Sequence, residues 1–131
     1  MTAQEPSAEA ASWRTLVRQN GTQAFAAAFA KDAVLEASVL ASSLRGADAI
    51  GRFFKATTTM YETLQFTSAA RTGEKTYMEW SGKIFGRGVA GITVVSRNAS
   101  GLIASIHLHH RPLDMVADFG AELAKRMADQ A

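Results

Sequence analysis

Four stretches of the chain place apolar residues three and four positions apart, which is the spacing of an amphipathic helix. These residues are Trp13, Leu16 and Val17, then Phe25 and Phe29, then Ile50, Phe53 and Phe54, and near the end Val116, Phe119, Leu123 and Met127. Asn20-Gly21 is a helix stop after the first stretch. Thr22 is the predicted N-cap of the second helix, which is expected to reach Ala30. The pattern therefore predicts four helices.

Alternation of polar and apolar residues replaces the helical spacing in the second half of the chain, and it predicts a run of four strands. These strands are expected at residues 63–70, 77–84, 88–97 and 101–110. The clearest of them puts Met78, Trp80, Gly82 and Ile84 on one face, and Leu64, Phe66, Ser68 and Ala70 are predicted to share a face of the strand before it. A short β-branched stretch at 33–40 predicts one earlier strand. Pro112 closes the last strand, because proline cannot donate within a sheet ladder.

The predicted order of elements is α-α-β-α-β-β-β-β-α, which indicates an α+β fold. Helices that come first and adjacent strands that come later favour an antiparallel meander covered by helices over a doubly wound parallel sheet. The chain contains no linker or internal repeat. Residues 1–131 are therefore predicted to form a single domain, with residues 1–7 as a frayed lead-in.

Composition and charge exclude several functional classes. The chain has no cysteine, which excludes disulfides, zinc–thiolate sites and thiol catalysis. Its 14 Lys and Arg against 12 Asp and Glu are scattered, without the basic stripe of a nucleic-acid-binding protein. The longest apolar stretch, at 24–30, is too short to cross a bilayer, and the acidic start has no signal core. We expect a cytoplasmic protein with no nucleic-acid partner, no membrane partner and no cofactor.

Four stretches of this sequence resemble the nuclear transport factor 2-like superfamily, and within it the SnoaL-like branch. They are "AFAAAFAKDAVLEAS" at 24–38, "LRGADAIGRFF" at 44–54, "MEWSGKIFGRGVAGITVVSRNASGLIASI" at 78–106 and "HRPL" at 110–113. The resemblance implies a cone-shaped, strongly curved antiparallel sheet wrapped around helices, with a cavity between them. It does not imply one activity, since the superfamily includes isomerases, epoxide hydrolases, polyketide cyclases, dehydratases and non-enzymatic binding modules.

Two catalytic sets known in this superfamily are missing from the matching positions. Ala37 stands where ketosteroid-isomerase relatives have their aspartate base, Thr93 stands where they have an oxyanion-binding aspartate, and Trp13 falls near their tyrosine. The positions of the limonene-epoxide-hydrolase set carry Trp80, Gly82, Leu108, Leu35 and Ala37. Proton abstraction needs a carboxylate or an equivalent base, so neither mechanism is expected here.

All three histidines lie in "IASIHLHHRPL" at 103–113, and strand alternation separates them. His110 shares a face with Leu108, and the resemblance places that face toward the cavity. Polyketide-cyclase relatives also carry an acid/base residue on the last strand. With an ordinary pKa near 6.5, His110 is the candidate catalytic acid/base or ligand-binding group. The alternative is a structural histidine bonded to the backbone or to Asp114.

His107 and His109 are predicted to lie together on the outer face of the sheet. An H-x-H pair can chelate a metal but needs a third ligand, and only Glu62 and Glu79 are strand carboxylates that could face it. No metal site is predicted. The superfamily often pairs subunits through this face, so a homodimer interface is expected instead.

The inward positions predict an apolar ligand pocket. Its candidate lining residues are Trp80, Thr93, Phe53, Phe54, Tyr61, Phe66, Met78, Ile106 and Leu108. A cavity with few polar groups suits a small hydrophobic molecule and would leave a charged ligand without partners. We therefore expect a binding protein, or a weak isomerase, cyclase or lyase that uses His110. The alternative is a non-catalytic homodimeric domain whose cavity is filled by its own side chains.

Overall fold

The computed structural model describes residues 8–130, so the predicted lead-in at residues 1–7 lies outside the described residues. The helices are α1 (Ala8–Arg18), α2 (Gln23–Ala27), α3 (Gly46–Thr58) and α4 (Leu113–Ala128). The strands are β1 (Phe29–Ala37), β2 (Leu44–Arg45), β3 (Thr63–Thr72), β4 (Lys75–Ile84), β5 (Arg87–Arg97) and β6 (Ile103–Arg111). The predicted α+β order is confirmed, with the two-residue strand β2 added before α3.

The start of β1 differs from the sequence prediction. Thr22 caps α2 as predicted, because its hydroxyl accepts a hydrogen bond from the Phe25 backbone N–H at 3.2 Å. The helix ends at Ala27, however, and Phe29 already pairs with Ile103 of β6. Phe25 and Phe29 still pack together, with ring centroids 4.7 Å apart. The prediction of helix through Ala30 was wrong because pairing with β6 overrides the local helical preference of this alanine-rich stretch.

The six strands form one sheet in the order β2-β1-β6-β5-β4-β3. Strands β3 to β6 are the predicted antiparallel meander, joined by hairpin turns. β1 pairs with β6 in the parallel direction, which the sequence did not predict. The chain can reach that position because α3 and the meander separate β1 from β6, as a parallel pair requires a long connection.

A bulge in β3 changes which of its residues face inward. Phe66 pairs with Trp80, but the register shifts after it, so that Ser68 pairs with Glu79 and Ala69 with Met78. Ala69 therefore packs against the core, and the predicted inward facing of Ser68 was wrong beyond the bulge. A bulge places two residues opposite one, which reverses the facing of every later residue in the strand.

The core fills the space between the inner face of the sheet and the helices. Its largest fully buried side chains include Phe25, Phe53, Phe119, Leu35 and Ile50, which come from three helices and β1. Among residues 8–130, no helix is long and apolar enough to span a membrane. The helices thus cover one face of the sheet, as the apolar stripes predict, and no helix of residues 8–130 covers the other face.

Candidate functional site

A cavity of about 300 Å³ lies between the inner face of the sheet and helices α1, α3 and α4. Its volume is at the lower end of the roughly 300–1,000 Å³ of small-molecule sites. Eight predicted site residues line it: Phe53, Phe54, Tyr61, Phe66, Trp80, Thr93, Leu108 and His110. Other apolar lining residues are Trp13, Val17, Leu64 and Phe119. The walls are thus largely aromatic.

Two of the predicted ligand-binding residues lie elsewhere. Ile106 is 1% exposed and belongs to the closed core behind the cavity. Met78 is equally buried, and it borders a different, polar cleft that Arg71 and Arg97 also line. Both residues face the predicted side of the sheet. Facing inward therefore does not by itself place a residue at the cavity, because most inward space is filled by packed side chains.

Trp80, Gly91 and His110 lie side by side on neighbouring strands, and Trp80 and His110 form part of the cavity wall. Gly91 of β5 pairs with Trp80 of β4 on one side and with His110 of β6 on the other. A Cβ atom at Gly91 would collide with the backbone carbonyl oxygen of His109 and would lie 2.6 Å from Cζ2 of Trp80, so only glycine fits between them. The indole Nε1–H donates to the Thr93 hydroxyl at 3.0 Å, which fixes the ring in the wall.

His110 lies at the end of β6 between two aromatic rings. Its imidazole is 5.3 Å from the Trp80 ring and 5.2 Å from the Phe119 ring, in both cases edge to face. Nδ1 is buried and has no hydrogen-bond partner among the described residues. Burial, with a smaller contribution from the charge of His109, lowers the pKa of His110 to about 4. The ring is therefore neutral at pH 7, with one nitrogen as a donor and the other as an acceptor.

The backbone of His110, and not its imidazole, is tied to Ser38, the residue that follows β1. Its N–H donates to the Ser38 hydroxyl at 2.9 Å, and that hydroxyl donates to the Leu108 carbonyl at 3.1 Å. Asp114, the other anticipated partner, instead lies 3.7 Å from Arg87 and accepts from the Met115 N–H. These bonds fix the strand end but leave the imidazole without the partner that Asp114 was expected to supply.

Tyr61 is a further residue of the wall that carries a polar group, besides Thr93 and His110. Its ring is 5.8 Å from both Trp80 and Phe119, so it completes an aromatic group around His110. Burial raises the pKa of its hydroxyl well above the ordinary value. Tyr61 therefore stays protonated at neutral pH and can donate a hydrogen bond.

Charged side chains also reach the cavity, and the sequence interpretation did not include them. They are Arg14 and Arg18 of α1, and Glu62 just before β3. Arg18 and Glu62 are exposed, as are Thr58 and Thr63 of the lining, so these four mark the mouth. The sequence did carry a signal for the arginines: they flank Trp13 and Val17 on one stripe of α1.

The outer face carries the other two histidines. His107 pairs with Glu36 of β1, and its Nε2 lies 3.6 Å from the Glu36 carboxylate. Glu62, an anticipated metal ligand, lies at the cavity mouth instead. Within residues 8–130, no group of three His, Asp or Glu side chains could hold a metal ion.

Solved structures of the same fold cover most of the chain. A steroid delta-isomerase from Pseudomonas aeruginosa aligns with a TM-score of 0.80 at 20% identity, over 92% of this chain and 89% of that chain. A protein with a cystatin-like fold from Silicibacter pomeroyi aligns with a TM-score of 0.76 at 17% identity, over 92% and 82%. A SnoaL-like family protein from Agrobacterium tumefaciens aligns with a TM-score of 0.51 at 19% identity, over 78% and 83%.

These neighbours confirm the predicted resemblance at the level of fold: the chain has the cystatin-like, nuclear transport factor 2-like architecture. No protein-family model matches the sequence, and no curated protein matches it. At such identities a shared fold does not carry a shared reaction, so the function has to be argued from the cavity itself.

Proposed function

We propose that this protein binds a small apolar ring compound in the cavity, with a hydroxyl or carbonyl group of the compound hydrogen-bonded to His110. The observation that carries the proposal is the His110 imidazole, which borders an aromatic cavity while its buried Nδ1 has no partner. An unpaired buried polar atom costs about 1–3 kcal/mol. A ligand group that pairs with this nitrogen would remove that cost.

The surroundings of His110 favour binding over proton transfer. General acid/base catalysis is most efficient when the pKa of the group is near the working pH, and the pKa of His110 is lowered to about 4. A weak isomerase, cyclase or lyase activity with His110 as the base stays a second prediction. It is supported by the fold of a steroid delta-isomerase, a protein that acts on ring compounds. The cavity of about 300 Å³ speaks against the alternative of a filled core.

The test is a pair of ligands that differ in one polar group, 2-naphthol and 2-methylnaphthalene, titrated by calorimetry. His110→Phe keeps a ring but removes both nitrogens. We expect the affinity ratio of naphthol to methylnaphthalene to fall about three- to tenfold in this variant, the worth of one hydrogen bond. The ratio isolates the polar contact because the apolar surface is nearly the same in both ligands.

The matched control is His109→Phe, which changes the neighbouring, exposed histidine on the opposite face of the strand. It should leave the ratio unchanged. If neither ligand binds the wild-type protein, or if His110→Phe leaves the ratio as it was, the proposed function is wrong.

The expected homodimer is part of this proposal. Tyr77, Val94 and His107 lie side by side in one row across β4, β5 and β6 on the outer face. Tyr77 is 38% exposed, and Val94 is partly exposed beside it. A second copy packed against this row would cover apolar surface that the helices do not reach. The cytoplasmic location expected from the sequence likewise stays a prediction.

A further inference from the structure

Helix α1 brings positive charge to the mouth of the cavity. Arg14 and Arg18 are four residues apart and so lie on one side of the helix, next to Trp13 and Val17, which also line the cavity. The apolar pair faces the interior. The two guanidinium groups therefore stand where the aromatic lining gives way to solvent.

The two arginines differ in how they are held. Arg14 is half-buried, donates from Nη1 to the Leu64 carbonyl at 3.3 Å and lies over the Phe66 ring, 5.9 Å from its centroid. Arg18 is exposed and forms no hydrogen bond or ion pair with any residue in the described range 8–130. Arg18 is therefore the cation at the mouth that is able to turn toward a ligand.

Among residues 8–130, Glu62 is the only acidic residue that lines the cavity, and its carboxylate is directed elsewhere. The Glu62 carboxylate accepts a hydrogen bond from the Gly86 N–H at 3.0 Å, which draws it toward the turn between β4 and β5. It forms no ion pair with Arg18 among the described residues. The mouth thus holds the Arg18 guanidinium, which has no partner among the described residues, and the Glu62 carboxylate, which already accepts a hydrogen bond.

We propose that the ligand class is an apolar ring compound that bears a carboxylate, with the ring among the aromatic walls and the carboxylate at the mouth against Arg18. This inference rests on the proposed binding function and adds the charge of the ligand to it. A carboxylate at the mouth stays partly hydrated, which avoids the large cost of burying a charge. The planar guanidinium can pair with both carboxylate oxygens.

The test compares 2-naphthoate with its neutral analogue 2-naphthamide by calorimetric titration at pH 7. We expect Arg18→Gln to weaken naphthoate about three- to tenfold, the range between an exposed ion pair and a charge-assisted hydrogen bond. Arg18→Glu should weaken it further, and naphthamide should change less than about twofold in both variants. Added salt should reduce the affinity for naphthoate only. Arg52→Glu, which alters an exposed arginine outside this cavity, is the matched control and should change neither ligand.

Three results would overturn the inference. Naphthoate affinity could be indifferent to Arg18, both ligands could weaken equally, or 2-naphthylmethylamine could bind more tightly than naphthoate. If 2-naphthol binds while one of these results is obtained, the ligand charge is wrong and the proposed binding function stands. If neither naphthol, naphthamide nor naphthoate binds, both are wrong.

Discussion

A single titratable side chain dominates the chemistry of the cavity wall. His110 is neutral because burial, with the Trp80 and Phe119 rings packed against it, disfavours the charged form of its ring. The charged form would lose its hydration without gaining a partner. The residue that the sequence singled out as an acid/base group is thus better suited to accept or donate a hydrogen bond.

The lowered pKa of His110 predicts a loss of stability in mild acid. The folded protein holds this group at a pKa of about 4, against an ordinary 6.5. Between these values the unfolded chain binds more protons than the folded protein. The free energy of unfolding is therefore highest above pH 6.5, and it falls as the pH is lowered toward 4. Urea denaturation should show that, between pH 7 and pH 5, the free energy of unfolding falls by about 2 kcal/mol more in the wild type than in His110→Phe.

His109→Gln is the control for that measurement, since it changes an exposed histidine on the outer face of the same strand. It should lose as much stability as the wild type on going to pH 5. Equal losses in the wild type and in His110→Phe would mean that His110 is not held neutral by burial.

The face of the sheet on which a side chain lies could be predicted from the sequence, but the location of the cavity could not. Alternation correctly put Trp80, Leu108 and His110 on one face, and all three line the cavity. Met78 and Ile106 face the same way but lie against packed neighbours. Arg18 was missed because its exposed position on α1 reads as ordinary helix surface until the sheet is placed beside it.

At the level of elements, the positions of the strands could be predicted from the sequence better than their pairing and register. The four meander strands were predicted from the local sequence pattern to within two residues at every end. The bulge beyond Phe66 and the parallel pairing of β1 with β6 left no mark in the local pattern. Both depend on partners that are distant in sequence, which a local period cannot specify.

Position 91, where β5 pairs with β4 and β6, should not tolerate a residue larger than glycine. Gly91→Ala forces its Cβ against the backbone carbonyl oxygen of His109 and against Trp80, which is itself held by Thr93. We expect the free energy of unfolding to fall by about 1–3 kcal/mol, as in other overpacked cores. Chemical denaturation measures this, and the affinity for 2-naphthol should fall with it because the indole is displaced.

Gly88→Ala is the matched change in the same strand. No atom lies within 4 Å of a Cβ built there, and the residue is exposed. Its effect should stay within about 0.5 kcal/mol. If both glycine variants were equally stable, the close packing of His109 and Trp80 around Gly91 would be refuted.

At the scale of the whole molecule, one face of the sheet is covered by helices and the other is open. The proposed dimer uses the open face, and Val94→Glu should disrupt it by placing a charge in the apolar row. Sedimentation equilibrium should give twice the 14.0 kDa chain mass for the wild type and the chain mass for the variant. Lys55→Glu, on the exposed side of α3, should stay dimeric. A monomeric wild-type protein would contradict the proposed dimer but would have no bearing on ligand binding in the cavity.

The central claim is that the cavity takes an apolar ring compound whose polar group meets His110. A crystal structure of the protein with 2-naphthol tests this most directly. The account predicts the naphthalene ring against Trp80 and Phe54, with the hydroxyl oxygen about 2.7–3.0 Å from a nitrogen of the His110 imidazole. Naphthol bound only outside the cavity, or inside it with the hydroxyl turned away from His110, would contradict the account.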